Sequence, residues 1–133
     1  MTVPTPIFRP GTVLVLPFPF TDRQASKRRP AVVVSGAGFN TRAGHFVAAM
    51  ITSADHRPWP EDVSITQLAA TGLPHPSVVR MKLFTLDERL VLRSSGALAA
   101  PDWFAVSRAL ASVFPDAHAR STAVHEPQPT YGT

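Results

Sequence analysis

The chain has 133 residues and no cysteine, which excludes disulfides, thiolate metal sites and a cysteine nucleophile. At 44% hydrophobic and 17% charged, it has the apolar content of one packed domain and too little charge for a disordered one. A formal net charge of +4, carried by eleven Arg and two Lys, favours a polyanionic partner, because arginine's planar fork suits bidentate phosphate contacts.

Met1 to Pro10 holds three prolines and reads as an extended arm. Thr12–Leu16 is the first expected strand, ended by Pro17, and Phe18 to Arg29 is a long loop of the kind that usually carries function. Ala31–Ser35 is a short β-branched run, expected to be a strand buried on both faces. Gly36-Ala37-Gly38 breaks it, and Phe39 to Gly44 is expected as a turn. His45–Thr52 is almost wholly apolar and predicts a central strand, followed by a polar loop to Asp62. Val63–Thr66 alternates as a half-exposed strand, and Gln67 to Pro76 is a loop. Ser77–Phe84 predicts another strand, Thr85 to Arg89 a turn, and Leu90–Leu98 a strand interrupted at Gly96. Pro101 and Asp102 suit a first helical turn, and Trp103, Val106, Leu110 and Phe114 (or Val113) share one face of a helix from Pro101 to Phe114. Residues 1–115 are therefore expected as one domain and 116–133 as a loose tail. No apolar run reaches the roughly 20 residues of a membrane span and no signal-peptide pattern opens the chain, so a cytoplasmic protein is expected. Short strands with one C-terminal helix predict a mainly β fold, a small antiparallel barrel with a helix packed on it.

The usual catalytic signatures are missing. There is no His-Glu-x-x-His, phosphate loop or nucleophile elbow, and Gly36-Ala37-Gly38 lacks the third glycine of a dinucleotide loop. The five histidines show no metal-ligand spacing, so neither metal nor cofactor is expected. What remains is a set of cations, hydroxyls and aromatics at strand ends. Lys27, Arg28 and Arg29 precede Pro30, which pushes Arg29 towards extended geometry and presents it at a strand mouth. Thr52 and Ser53 end an apolar strand, where a hydroxyl either satisfies the backbone or meets a ligand. Arg80 lies inside an apolar strand and must face solvent, face a ligand, or pair with a carboxylate such as Asp22 or Asp55. Phe18 and Phe20 are either core plugs or stacking surfaces for bases.

Five blocks then resemble the MazF/PemK toxins of type II toxin–antitoxin systems: Gly11 to Asp22, Lys27 to Ser35, Phe39-Asn40, Met50 to Ser53, and Ser77 to Arg80 with Lys82 to Asp87. The resemblance spans about residues 8 to 115. It implies an SH3-like antiparallel barrel with a C-terminal helix and a homodimer. It also implies metal-independent endonucleolytic cleavage of single-stranded RNA or mRNA, and a cognate MazE/PemI-like antitoxin. By matching position it implies catalytic roles for Arg29, Thr52 and Arg80, and RNA contacts from the loop holding Phe18, Phe20, Lys27 and Arg28. Ser53 and His56, close to Thr52 in sequence, join the RNA-binding candidates. Some PemK-type members carry aspartate where this chain has Lys82. CcdB-type toxins, which bind gyrase and cut nothing, share the barrel, and a nucleic-acid-binding barrel without chemistry is a third reading.

Overall fold

The computed structural model describes residues 8–21 and 23–116; the arm before Phe8, Asp22 and the tail from residue 117 lie outside the described residues. Apolar, β-branched segments form six strands: β1 (Thr12–Phe18), β2 (Lys27–Val33), β3 (His45–Ser53), β4 (Val63–Ser64), β5 (Ser77–Asp87) and β6 (Arg93–Ala97). They make one antiparallel sheet in the order β4-β5-β3-β2-β1-β6. Three helices accompany it: α1 (Ala37–Ala43), α2 (Leu68–Thr71) and α3 (Ala100–Val113).

The sheet is curled and buried on both faces, which is why its central strands read as continuous apolar runs. One core gathers Val13, Val32, Ala49, Ile51 and Val79 under Trp103, Val106 and Leu110 of α3. The other gathers Leu14, Leu16, Ala31, Val33, Phe46 and Ala48 under Phe8, Phe20 and Leu90. Along β1, β2, β3 and β5, successive residues alternate between the two, as the pleat requires. The apolar face expected on α3 holds through Leu110, whereas Val113 and Phe114 are exposed.

Asp102, in the first turn of α3, is 2% exposed and anchors the helix to the sheet. Its carboxylate accepts from the Thr66 backbone N–H (3.0 and 3.1 Å to its two oxygens), the Thr66 hydroxyl (2.7 Å) and the Gln67 N–H (3.0 Å). Burial pushes this carboxyl's pKa up, but the Thr66 and Gln67 hydrogen bonds outweigh it, so the net shift is downward.

The open edges of the curled sheet meet through α2. Ser95 Oγ of β6 donates to the Thr71 carbonyl at 2.8 Å. Gly72 and Gly96 let the two backbones touch: a Cβ on Gly72 would overlap the Ser95 carbonyl oxygen, and one on Gly96 the Ala70 carbonyl oxygen.

Several boundaries differ from those expected. β2 starts at Lys27 and ends at Val33, because Pro17 and Phe18 continue β1 and pair with Arg28 and Lys27. The three cations thus stand within a strand, and the preceding loop is shorter than the expected stretch. Residues 37–43 form α1, where a turn was expected; Gly44 (φ +64°) caps it and buried Asn40 secures it, donating to the carbonyls of Phe8 (2.8 Å) and Ser35 (3.1 Å). β5 runs on to Asp87, and Glu88–Leu90 form a 3-10 turn capped by the Asp87 carboxylate, so Leu90–Leu92 precede β6 instead of starting it. Among the described residues, no helix is long and apolar enough to cross a membrane.

Candidate active site

The strand register brings the key residues together. Ala31 pairs with Met50 and Val32 with Ala49, and Arg29 and Thr52 each lie two residues beyond the last of these pairs, on adjacent strands. On the other side of β3, Thr52 pairs with Val78 and Met50 with Arg80. Alternation fixes the faces. Ala31 and Val33 point into the second core, so Arg29 leaves β2 on that face. Ala48 does the same in β3, taking Thr52 with it, and Leu14 and Leu16 carry Phe18. Phe18, Arg29, Thr52 and Arg80 thus belong to one face of the sheet.

A hollow of about 400 Å³ opens at this rim. Arg29 and Thr52 both border it, as do Arg28, Ser53 and His56. Arg28 and Ser53 leave their strands on the opposite face, with Val32 and Ile51 of the first core, so the two faces meet where the strands end. The far wall comes from His75 and Ser77 and from Arg93 of β6. The turn carrying His56 and the loop carrying His75 are tied by the Ala54 N–H donating to the Pro76 carbonyl at 3.0 Å.

Arg29 is the member of this lining with a buried donor left unpaired. Its guanidinium carbon lies 4.7 Å from the Phe18 ring centroid. Its Nε is buried without a hydrogen-bond partner, and no carboxylate among the described residues pairs with it. Thr52, half-buried, makes no side-chain hydrogen bond among the described residues, whereas the Ser53 hydroxyl accepts from the Asp55 N–H at 3.2 Å. Of the two hydroxyls, Ser53 therefore serves the local turn and Thr52 remains available.

Arg80 is placed differently from Arg29. It pairs with Asp62, not with Asp55; Asp22, the other expected partner, lies outside the described residues. The contacts are Nε to Oδ1 at 3.1 Å and Nη2 to Oδ2 at 2.9 Å, and Nη2 also donates to the Arg57 carbonyl at 2.7 Å. Both side chains are 14% exposed. Burial raises the Asp62 pKa, but hydrogen bonding from Arg80 and the Trp59 N–H outweighs it and the carboxyl sits below its ordinary value. Arg80 is not among the residues bordering the hollow.

Phe18 and Phe20 pack edge to face (5.5 Å between centroids), and Phe20 also meets Phe84 at 5.1 Å and joins the second core. Phe20 is thus a core plug, and Phe18 the floor under Arg29. Lys27 is exposed at the strand start opposite Phe18, outside the hollow's lining. Sequence reasoning missed His75 and Arg93. His75 is flanked by Pro74 and Pro76, a rigid setting that marks a fixed loop position. Arg93 pairs with Val15, and no local pattern places that edge strand beside the cation cluster. No group of three or more potential metal ligands occurs among the described residues.

The comparisons with known proteins agree with this architecture. MazF of Deinococcus radiodurans in complex with MazE (form II) superposes with a TM-score of 0.65 at 24% identity, covering 83% of this chain and 97% of that one. Mycobacterium tuberculosis toxin MazF-mt6 gives 0.62 at 23% identity, covering 80% and 97%. A mycobacterial endoribonuclease bound to its cognate antitoxin gives 0.66 at 17% identity, covering 84% and 96%. At these identities the likeness is one of fold. No curated protein matches the chain. Residues 9–114 match the family described as PemK-like, MazF-like toxin of type II toxin-antitoxin system, and the chain belongs to that family.

Proposed function

We propose that this toxin is a metal-independent endoribonuclease that cleaves single-stranded RNA or mRNA and thereby stops translation and growth. The observation that carries this reading is Arg29, an arginine without a counter-charge among the described residues, bordering the same hollow as the unbonded Thr52 hydroxyl.

RNA supplies its own nucleophile, the 2′-OH. Attack on the adjacent phosphorus builds negative charge on the phosphorane oxygens and then expels the 5′ oxygen. An arginine stays charged throughout and offers parallel donors to two non-bridging oxygens, an interaction that strengthens where water is excluded. Thr52 holds the phosphate or orients the 2′-OH. Histidine is the side chain suited to proton exchange near neutrality, and both His56 and His75 border the hollow. One takes the 2′-OH proton and the other protonates the leaving oxygen. Arg28 and Arg93 add positive charge around the flanking phosphates. The products are a 2′,3′-cyclic phosphate (or 3′-phosphate) and a 5′-hydroxyl. The reading includes a homodimer and a MazE/PemI-like antitoxin that covers the RNA groove, in keeping with the neighbours solved as toxin–antitoxin complexes.

The test is incubation of purified protein with end-labelled RNA in EDTA, beside the Arg29→Ala variant. Cleavage by the wild type alone supports the reading. Binding without cleavage points to a barrel without chemistry, and neither, with a stable gyrase complex, points to a CcdB-like poison.

A further inference from the structure

Trp59 lies between β3 and β4 and is 43% exposed, a large apolar surface left to solvent. The residue is nevertheless held in place. Its N–H donates to Asp62 Oδ2 at 2.8 Å, and its carbonyl accepts from the Asp62 N–H at 3.2 Å. Asp62 is in turn clamped by Arg80. The Arg80 guanidinium carbon lies 5.6 Å and Lys82 Nζ 5.7 Å from the indole centroid. Both cations come from β5, where Met81 and Leu83 pack into the first core and leave Arg80 and Lys82 on the other side. A bulge reinforces this placement: Met50 pairs with Arg80 but Ala49 with Leu83, so β5 carries two extra residues there.

We propose that Trp59 is a stacking platform for one base of the bound RNA, with Lys82 contacting a neighbouring phosphate and Arg80 acting as the positioning residue for the indole. This inference rests on the nuclease reading and extends it along the substrate. Arg80 pairs with Met50, two residues from Thr52 and on the same face, a step of about 7 Å along the strand. A strand of RNA gripped at Thr52 therefore has a nearby nucleotide within reach of Trp59. An exposed indole with two cations over its ring matches a nucleotide on both counts: a π-surface for the base and positive charge for its phosphate. An acidic peptide would use the cations and leave the ring idle. The Asp62–Arg80 clamp fixes the Trp59 backbone, and so the point from which the indole is presented.

The experiment titrates full-length protein with a 2′-O-methyl oligonucleotide, which lacks the attacking hydroxyl, and follows tryptophan fluorescence and affinity. The expected result is quenching that disappears in Trp59→Phe, while Trp103, packed against the first core, stays silent. Affinity should fall about tenfold or more in Trp59→Ala and less in Trp59→Phe. Cleavage of a dinucleotide too short to reach the platform should not change in Trp59→Ala, whereas KM for longer substrates should rise with kcat held. Unchanged affinity in a Trp59→Ala protein of normal melting temperature that still cleaves RNA overturns the platform and leaves the nuclease standing. Quenching by poly-glutamate and not by the oligonucleotide also overturns it. A wild type that neither binds nor cleaves RNA overturns both readings.

Discussion

Arg29 and Arg80 lie on the same face of the same sheet, on β2 and β5 either side of β3, yet they have opposite fates. Arg80 spends its donors on Asp62 and the Arg57 carbonyl. Arg29 rests on an aromatic ring with a buried N–H unmatched. A buried donor left unpaired costs about 1–3 kcal/mol, so the fold tolerates at Arg29 what it avoids at Arg80. The difference teaches where to look for chemistry: the satisfied arginine builds the scaffold, and the unsatisfied one still has donors to offer.

Breaking the unsatisfied side should have the largest effect. Arg29→Ala is expected to lower RNA cleavage about a thousandfold, the upper range for loss of one positioned donor, while melting temperature holds; near-normal cleavage would remove Arg29 from the mechanism. Thr52→Ala is expected to cost about a hundredfold, with Thr52→Ser recovering part of it. Should Thr52 be only a strand-end residue, melting temperature would drop and activity per folded molecule would persist.

Breaking the satisfied side should act on the fold first. Asp62→Ala leaves Arg80 without its partner and frees the Trp59 N–H, with an expected loss of about 1–3 kcal/mol by urea denaturation. The matching loss of stability is not expected from Arg29→Ala, and equal losses in both variants would dissolve the contrast.

The smallest effect is in acid. Asp62 and Asp102 both have folded pKa values lowered by their hydrogen bonds despite burial, and Asp87 is held at about 2 chiefly by the Arg89 side chain. Their contribution is therefore full above the unfolded carboxylate value of about 3.9 and is lost as pH falls through the lowered folded values. Melting temperature should be level from about pH 7 to 5 and decline below about pH 4. A decline that begins near pH 6 would implicate histidine instead.

Much of the architecture was legible because both sheet faces are buried: Ala31–Val33 and His45–Ile51 announce central strands by composition alone, and Trp103, Val106 and Leu110 announce α3. Pro30 also pointed correctly to an extended Arg29. Local patterns did not reveal what depends on pairing between distant segments. Lys27–Arg29 became strand because Leu16–Phe18 lay opposite them. Arg80 found Asp62 through the chain path of the 53–62 loop, and His75 and Arg93 reached the hollow through contacts between α2 and β6, far from Arg29 in sequence. Asn40 turned an expected turn into α1 by bonding to a carbonyl 32 residues away.

The glycine seam at 72 and 96 has a consequence for the width of the hollow. Leu73, Pro74 and His75 follow directly from one glycine, and Arg93 comes three residues before the other. The span between the basic cluster on β2 and its opposite bank is thus set like the jaws of a caliper, by how closely two bare backbones can press together. A single methyl group at that pivot would force the two backbones apart, and the banks with them.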